Sequence, residues 1–146
     1  MIASIIQAII GILENDSDVT DLTGGTGATS RIFAGEIPKS ESGSMPRQSC
    51  VISPAPASIP VGARDYVDIN TQGFDLLHYG ARFGDCEQLQ RATQTVLKGV
   101  NRKIINDMCV WSFHQSASPA YGRDRDTDWP FFLTGYTVQF AETTVQ

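Results

Sequence analysis

Cysteine, histidine and positive charge are all scarce in this chain. Its three cysteines, Cys50, Cys86 and Cys109, stand far apart without a CxxC spacing, and only His78 and His114 could assist them. That pattern gives neither a zinc site nor a disulfide framework, so the thiols are expected to be reduced and buried, in a reducing compartment. Lys and Arg number 11 against 16 Asp and Glu, for a net charge of −5, and Glu14, Asp16, Asp18 and Asp21 precede the first Arg. A dedicated nucleic-acid surface normally shows as a basic patch, which this balance argues against. Nucleophile signatures are also missing: there is no GxSxG, and neither histidine lies beside an obvious Ser or Cys partner. The glycines of GGTGATS, 24–30, lack the GxxxxGK[ST] pattern and read as a flexible turn.

Long apolar runs are absent too. The isoleucine-rich start, MIASIIQAIIGILEND, offers about 13 apolar-rich residues where a bilayer span needs roughly 20. It has no basic region before the apolar run and no clear cleavage site after it, so a soluble, intracellular protein is expected. With 146 residues and 41% hydrophobic content, one globular domain over 1–146 is expected, with enough apolar material for a core.

What is present is periodic. Ile2, Ile5, Ile6, Ile9, Ile10 and Leu13 recur at helical spacing and leave Ser4, Gln7 and Glu14 polar, which predicts an amphipathic helix. A short turn of helix is expected over Asp18 to Leu22, and a brief strand over Arg31–Phe33. Five of the seven prolines fall between Gly35 and Ala63, so long loops are expected at 35–46 and 54–64. Between them RQSCVIS, 47–53, predicts a strand with Cys50 and Ile52 on one side and Val51 on the other.

DYVDINTQGFDL, 65–76, alternates as a half-buried strand, with a bulge expected at Gly73. Asp85 with Gln88 three residues on predicts an N-cap, followed by Cys86, Leu89, Val96, Leu97 and Val100 on one face of a helix ending near Gly99. In MCVWSFHQ, 108–115, the alternation sets Cys109, Trp111 and Phe113 against Met108, Val110 and Ser112. A third loop is expected at 116–130. The closing strand is the clearest of all: Phe132, Thr134, Tyr136, Val138 and Phe140 alternate with Leu133, Gly135, Thr137, Gln139 and Ala141. The fold class predicted is α+β, an antiparallel or mixed β-sheet of about four to five strands with two main helices packed on one face.

The charged stretch GRDRDTDW, 122–129, tests poorly as a calcium loop. Asp124, Asp126 and Asp128 fit the first, third and fifth ligand positions, but Trp129 stands where Gly must turn and Gly135 where a bidentate Glu is required. Neighbouring Arg123 and Arg125 would also keep the aspartates ionised, which disfavours acid–base catalysis. Two readings stay open: a solvated loop between strands, or a contact loop with the arginines as forks for a partner's carboxylates and Tyr121 and Trp129 as aromatic anchors.

The order of features resembles the tail-terminator, or tail-completion, proteins of long-tailed bacteriophages. The resemblance is carried by SIIQAIIGILENDSDVTDLTGG, by RIFAGEIP followed closely by MPRQSCVIS, by YVDINTQGFD followed by the helix DCEQLQRATQTVLKGV, and by two closing strands. It spans nearly the whole chain, which departs from the family pattern in its 54–64 connection and its charged 122–128 loop. The resemblance implies a non-enzymatic virion assembly protein without cofactor or metal, located in the tail or neck and assembled in the host cytoplasm. It implies a homo-oligomer, a hexameric ring that ends tail-tube polymerisation, touches the tail-tube protein and the head connector, and lets DNA through its lumen without specific binding or any membrane. Each ring contact would be heterologous. The candidate interface residues are then Arg31, Lys39, Glu41 and Arg47 on one side and Tyr121, Arg123, Asp124, Arg125, Asp126, Asp128 and Trp129 on the other. Two alternatives follow: another neck component, such as a head-completion or stopper protein on the portal, or a small cytosolic enzyme or ligand-binding domain built around His78, His114 or Asp75.

Overall fold

The computed structural model describes residues 2–26, 30–36, 48–55, 70–105, 107–125 and 128–142. Helix α1 spans Ile2–Glu14, and the isoleucine spacing sets its buried face: Ile5, Ile6, Ala8, Ile9, Ile12 and Leu13 are buried, while Gln7 is exposed. The chain then turns at Asp16, whose carboxylate accepts hydrogen bonds from the backbone N–H of Asp18 (2.9 Å) and Val19 (3.2 Å) and so caps α2, Ser17–Thr23. Gly24 ends α2 in the left-handed region at φ 92°, a conformation natural for glycine.

Strands β1 (Ile32–Ala34), β2 (Ser49–Ala55), β3 (Asn70–Tyr79), β4 (Lys103–Ile105), β5 (Met108–Arg123) and β6 (Pro130–Glu142) form one mixed sheet in the order β1-β2-β3-β6-β5-β4. Only the β1–β2 pair is parallel. The third helix, α3, spans Phe83–Lys98. The core joins one sheet face to the helices: Cys50 and Ile52, Phe74 and Leu76, Tyr136, Val138 and Phe140 meet α1 through Ile5, Ile9 and Ile12 and α3 through Cys86, Leu89 and Leu97.

The period-two reading of β6 holds, and its position between β3 and β5 explains why both of its faces carry apolar residues. Cys50 and Ile52 do face the core and Val51 the opposite side. The fold is α+β as expected, but the sheet has six strands among the described residues, because the short β4 after α3 gave no periodic signal.

Four local expectations are corrected. Gly73 makes no bulge, since β3 pairs without a register shift with both β2 and β6. The irregularities lie on β5 instead, with shifts between Val110 and Ser112, Gln115 and Ala117, and Ala117 and Ala120. The first adds Trp111 as an extra residue, so Phe113 joins Met108 and Val110 on the core side rather than opposing them. The expected 116–130 loop is mostly strand, because β5 continues to Arg123 and its bulges accommodate the small residues and Pro119. Finally, α3 starts three residues early: its N-cap is Arg82, without a side-chain cap, and Asp85 sits inside the first turn. Of the 65–76 strand, residues 65–69 lie outside the described residues, as does most of the 35–46 and 54–64 loops.

Candidate interaction surface

The β5–β6 turn is closed by its own residues. The N–H of Asp124 donates to the Trp129 carbonyl (2.9 Å), and the N–H of Asp128 donates to the Asp124 carbonyl (2.8 Å). Asp128 takes a left-handed φ of 60°. Arg123 locks this arrangement, its Nη1 donating to the Asp128 carbonyl at 2.9 Å with Asp128 Oδ2 at 3.8 Å. Both side chains are largely exposed, so the ion pair adds little energy and serves mainly to fix the shape of the turn. Arg125 is exposed at the tip.

Trp129 faces inward. It is 7% exposed and meets Tyr79 edge to face, ring centroids 6.2 Å apart, while Phe131 meets the same tyrosine at 5.7 Å. These rings join Val51, with Phe33 and Leu77 packed alongside, in a second apolar cluster on the sheet face opposite the helices. Burial, reinforced by the Asp124 carboxylate, pushes the Tyr79 hydroxyl up to about 12. Arg31 lies on this side as well: it is buried, its Nε donates to Ser49 Oγ at 2.9 Å, and its guanidinium sits over the Phe33 ring.

On the helix side, β5 presents Tyr121. It stacks with Phe83, the first residue of α3, at 4.7 Å, and both rest on Phe132, at 5.8 and 4.9 Å. Tyr121 is 45% and Phe83 48% exposed, which makes an outward aromatic pair on a rigid base. At the far end of α3 a cleft of about 400 Å³ opens between helices and β4, with Ile12, Val96 and Val100 as its apolar part, Asp16 on one side and Arg102 and Lys103 on the other. Arg102 stacks over Trp111 at 4.9 Å.

The titratable groups weighed for chemistry are placed apart. His78 is fully buried, bonded at Nε2 to Thr93 Oγ1 (2.7 Å) and at Nδ1 to the Phe132 carbonyl (3.2 Å). Burial lowers its pKa to about 4, and the bond to Phe132 offsets this only in part. The neutral ring therefore donates from Nδ1 to the carbonyl and accepts the threonine proton at Nε2. His114 is exposed, with its Nε2 3.2 Å from Ser112 Oγ. Asp75 lies on the sheet face opposite the helices with its pKa raised by burial. Burial also pushes the Cys50 and Cys86 thiols up, to about 12 and about 11, the reverse of what a reactive thiolate requires. Among the described residues no group of three or more His, Cys, Asp or Glu is arranged to hold a metal, and no helix is long and apolar enough to cross a membrane.

No protein-family model matches this sequence, and no curated protein does. A solved chain from a structure described as "Virion of native gene transfer agent (GTA) particle" superposes with a TM-score of 0.66 at 13% identity, covering 95% of this chain and 96% of that one. The two chains share a fold. The likeness covers nearly the whole of both chains.

Within that shared fold the expected interface residues separate. Arg123, Asp124, Arg125 and Asp128 gather in the turn, with Tyr121 two residues before it and Trp129 folded beneath it. Arg31 sits on β1's side of the sheet, linked to Trp129 through the apolar cluster that Phe33 joins. Lys39, Glu41, Arg47 and Asp126 lie outside the described residues. Sequence reasoning missed Phe83, which fell just before the expected start of α3. Moving that start to Arg82 would have exposed the aromatic at the first helical position.

Proposed function

We propose that this chain is a non-enzymatic structural protein of a phage-like virion and, within it, a tail terminator: a ring on the head-proximal end of the tail tube that stops polymerisation and receives the head connector. The observation that carries the reading is the end-to-end likeness to a virion-particle chain, which joins the order of sequence features already noted. The physical picture agrees. The exposed, self-locked turn of Tyr121, Arg123, Asp124, Arg125 and Asp128 suits contact with a neighbouring subunit, and Trp129 and Arg31 support the surface from beneath. Lys39, Glu41, Arg47 and Asp126 belong to the same proposed contacts. A net charge of −5 suits a channel wall that lets DNA pass without gripping phosphate.

The test is to omit this chain from particle assembly and examine the products by electron microscopy. Tail tubes of uncontrolled length, restored to uniform length by the added protein, are the expected result. Normal tails beside heads that leak DNA would instead assign the chain to a head-completion or stopper role at the portal. Normal tails and full, joined heads would remove both roles.

A further inference from the structure

His78 is held between α3 and β6 by groups that can serve either of its charge states. The imidazole is fully buried on β3. Its Nδ1 lies 3.2 Å from the Phe132 carbonyl, which can only accept, so Nδ1 carries a proton in both states. Its Nε2 lies 2.7 Å from Thr93 Oγ1, which can donate or accept. The Thr93 hydroxyl has a second outlet: the Gln90 carbonyl, one turn back on α3, stands 3.0 Å from the same Oγ1. One hydroxyl proton thus has two acceptors within reach, His78 Nε2 and the Gln90 carbonyl.

Which of them it serves is tied to the charge on the imidazole. With His78 neutral, the hydroxyl donates to Nε2. With a proton on Nε2, the imidazolium donates to Oγ1, and the hydroxyl turns to the Gln90 carbonyl, whose two lone pairs let it accept this bond beside its helical one. No heavy atom has to move, and every polar atom of the set keeps a partner in both states. A buried histidine facing a fixed donor would instead gain its proton opposite another hydrogen and leave a charged group unpaired, a larger loss than a missing neutral bond. Burial opposes the charge and lowers the pKa to about 4, so proton uptake belongs to acid conditions. The titratable groups on the elements packed against the imidazole are Cys50 on β2, Cys86 on α3 and Tyr136 on β6, all with raised pKa values and all neutral there. None of the charged side chains of α3, Asp85, Glu87, Arg91 and Lys98, is buried. The Thr93 hydroxyl is therefore what the neighbourhood offers to a proton on Nε2.

We propose that Thr93 is a positioning residue that lets His78 bind a proton inside the folded protein, its hydroxyl turning from the imidazole to the Gln90 carbonyl as the imidazolium forms. The device keeps α3 docked on β6 through acid exposure. Phe132 extends its reach to the surface, because the residue whose carbonyl accepts from His78 also carries the exposed Phe83 and Tyr121 on its ring. The relay stands independently of the tail-terminator reading.

The experiment follows the His78 imidazole by nitrogen NMR from neutral pH to about pH 3, with circular dichroism recording the fold at each step, for the wild type, Thr93→Val and Thr93→Ser. In the wild type the imidazolium should form in the folded chain, with both ring N–H protons protected from solvent. The hydroxyl gives a neutral bond to the uncharged imidazole and a stronger, charge-assisted one to the imidazolium. Its removal in Thr93→Val should therefore lower the folded-state midpoint by about one pH unit, and Thr93→Ser, which keeps the hydroxyl, should return it close to the wild type. A hydroxyl fixed as a donor to Nε2 has the opposite sign, since losing it would raise the midpoint. A midpoint raised or unchanged in Thr93→Val overturns the relay. So does a wild type that unfolds as His78 takes up its proton, the imidazolium then appearing only in the unfolded chain. That last measurement needs no variant and decides the matter even where Thr93→Val does not fold.

Discussion

Trp129 rests edge-on against Tyr79, their centroids 6.2 Å apart and their planes at 76°, so the charged β5–β6 turn hangs from an aromatic anchor on its own sheet. The contact ties the start of β6 to the end of β3, and it lies beneath the turn that Arg123 locks. An aromatic that looks like a partner's anchor in the sequence packs instead beneath the charged turn, on its own sheet.

Replacing Trp129 with Ala should therefore act on stability. Trp129 is buried in a small cluster with Val51 and Tyr79, and truncating such a ring typically costs about 3 kcal/mol. A urea titration followed by circular dichroism checks this through a lower midpoint. An unchanged midpoint would mean that Trp129 contributes nothing to the sheet and is free for a partner.

The buried histidine gives stability a pH dependence of definite sign. His78 is held neutral, its pKa lowered from 6.5 to about 4 by burial. A group whose charged form is disfavoured by folding contributes fully above the unfolded value and loses that contribution as pH falls from about 6.5 toward 4. At 1.36 kcal/mol per unit the loss approaches about 3 kcal/mol, with carboxylate effects superimposed. The chain has two histidines, so proton NMR resolves the question directly. The His78 imidazole should show no titration between pH 7 and 5.5, and a midpoint near 6.5 would contradict its buried, neutral state.

Helix capping offers a contrast between two aspartates. Asp16 accepts two backbone N–H bonds at the start of α2, so Asp16→Ala should cost about 1 kcal/mol. Asp85 lies in the first turn of α3, whose N-cap is Arg82; losing its charge there removes only a favourable dipole interaction, a few tenths of a kcal/mol at roughly the low end of that effect. Paired denaturation curves should rank Asp16→Ala as the more damaging change, and the opposite ranking would restore Asp85 as the cap.

These cases show where the sequence was informative and where it was not. The alternation in β6 survives because its ten pairs with β3 proceed without a shift, so side-chain period and sheet face stay in step. On β5 a single extra residue at Trp111 changes the face of the residues that follow, as far as the next shift after Gln115, and no local residue preference announces that change. The pattern of Asp85 with Gln88 looked like a cap, but Gln88 Oε1 accepts instead from Gln48 Nε2 at 3.1 Å, a contact with a residue forty positions earlier in the chain. The burial of Trp129 was hidden for the same reason, since it depends on Tyr79 in a different strand. The turn at 122–129 was legible as a connection between strands, and the Phe83–Tyr121 pair was not, because it needs the α3 start and the β5 extension together.

The start of α3 is set by Gly80, and two glycines near it should respond in opposite directions to the same substitution. A Cβ built on Gly80 would lie 2.8 Å from Asp85 Cβ, 3.1 Å from the Cys86 nitrogen and 3.3 Å from the Asp85 carbonyl carbon. The last two are backbone atoms of the first helical turn. That turn cannot easily retreat, because Cys86 is fully buried and its Sγ is bonded to the Pro130 carbonyl at 3.3 Å. Gly80→Ala should thus cost about 1–3 kcal/mol as overpacking. Gly84 lies within α3, and a Cβ there meets nothing within 4 Å. Gly84→Ala should stabilise by roughly 0.5–1 kcal/mol through the reduced freedom of the unfolded chain. Thermal melts of the two variants should move to opposite sides of the wild type. If both fell together, steric contact at Gly80 would not be what distinguishes them, and the close packing of the β3–α3 connection would lose its role in fixing where the helix begins.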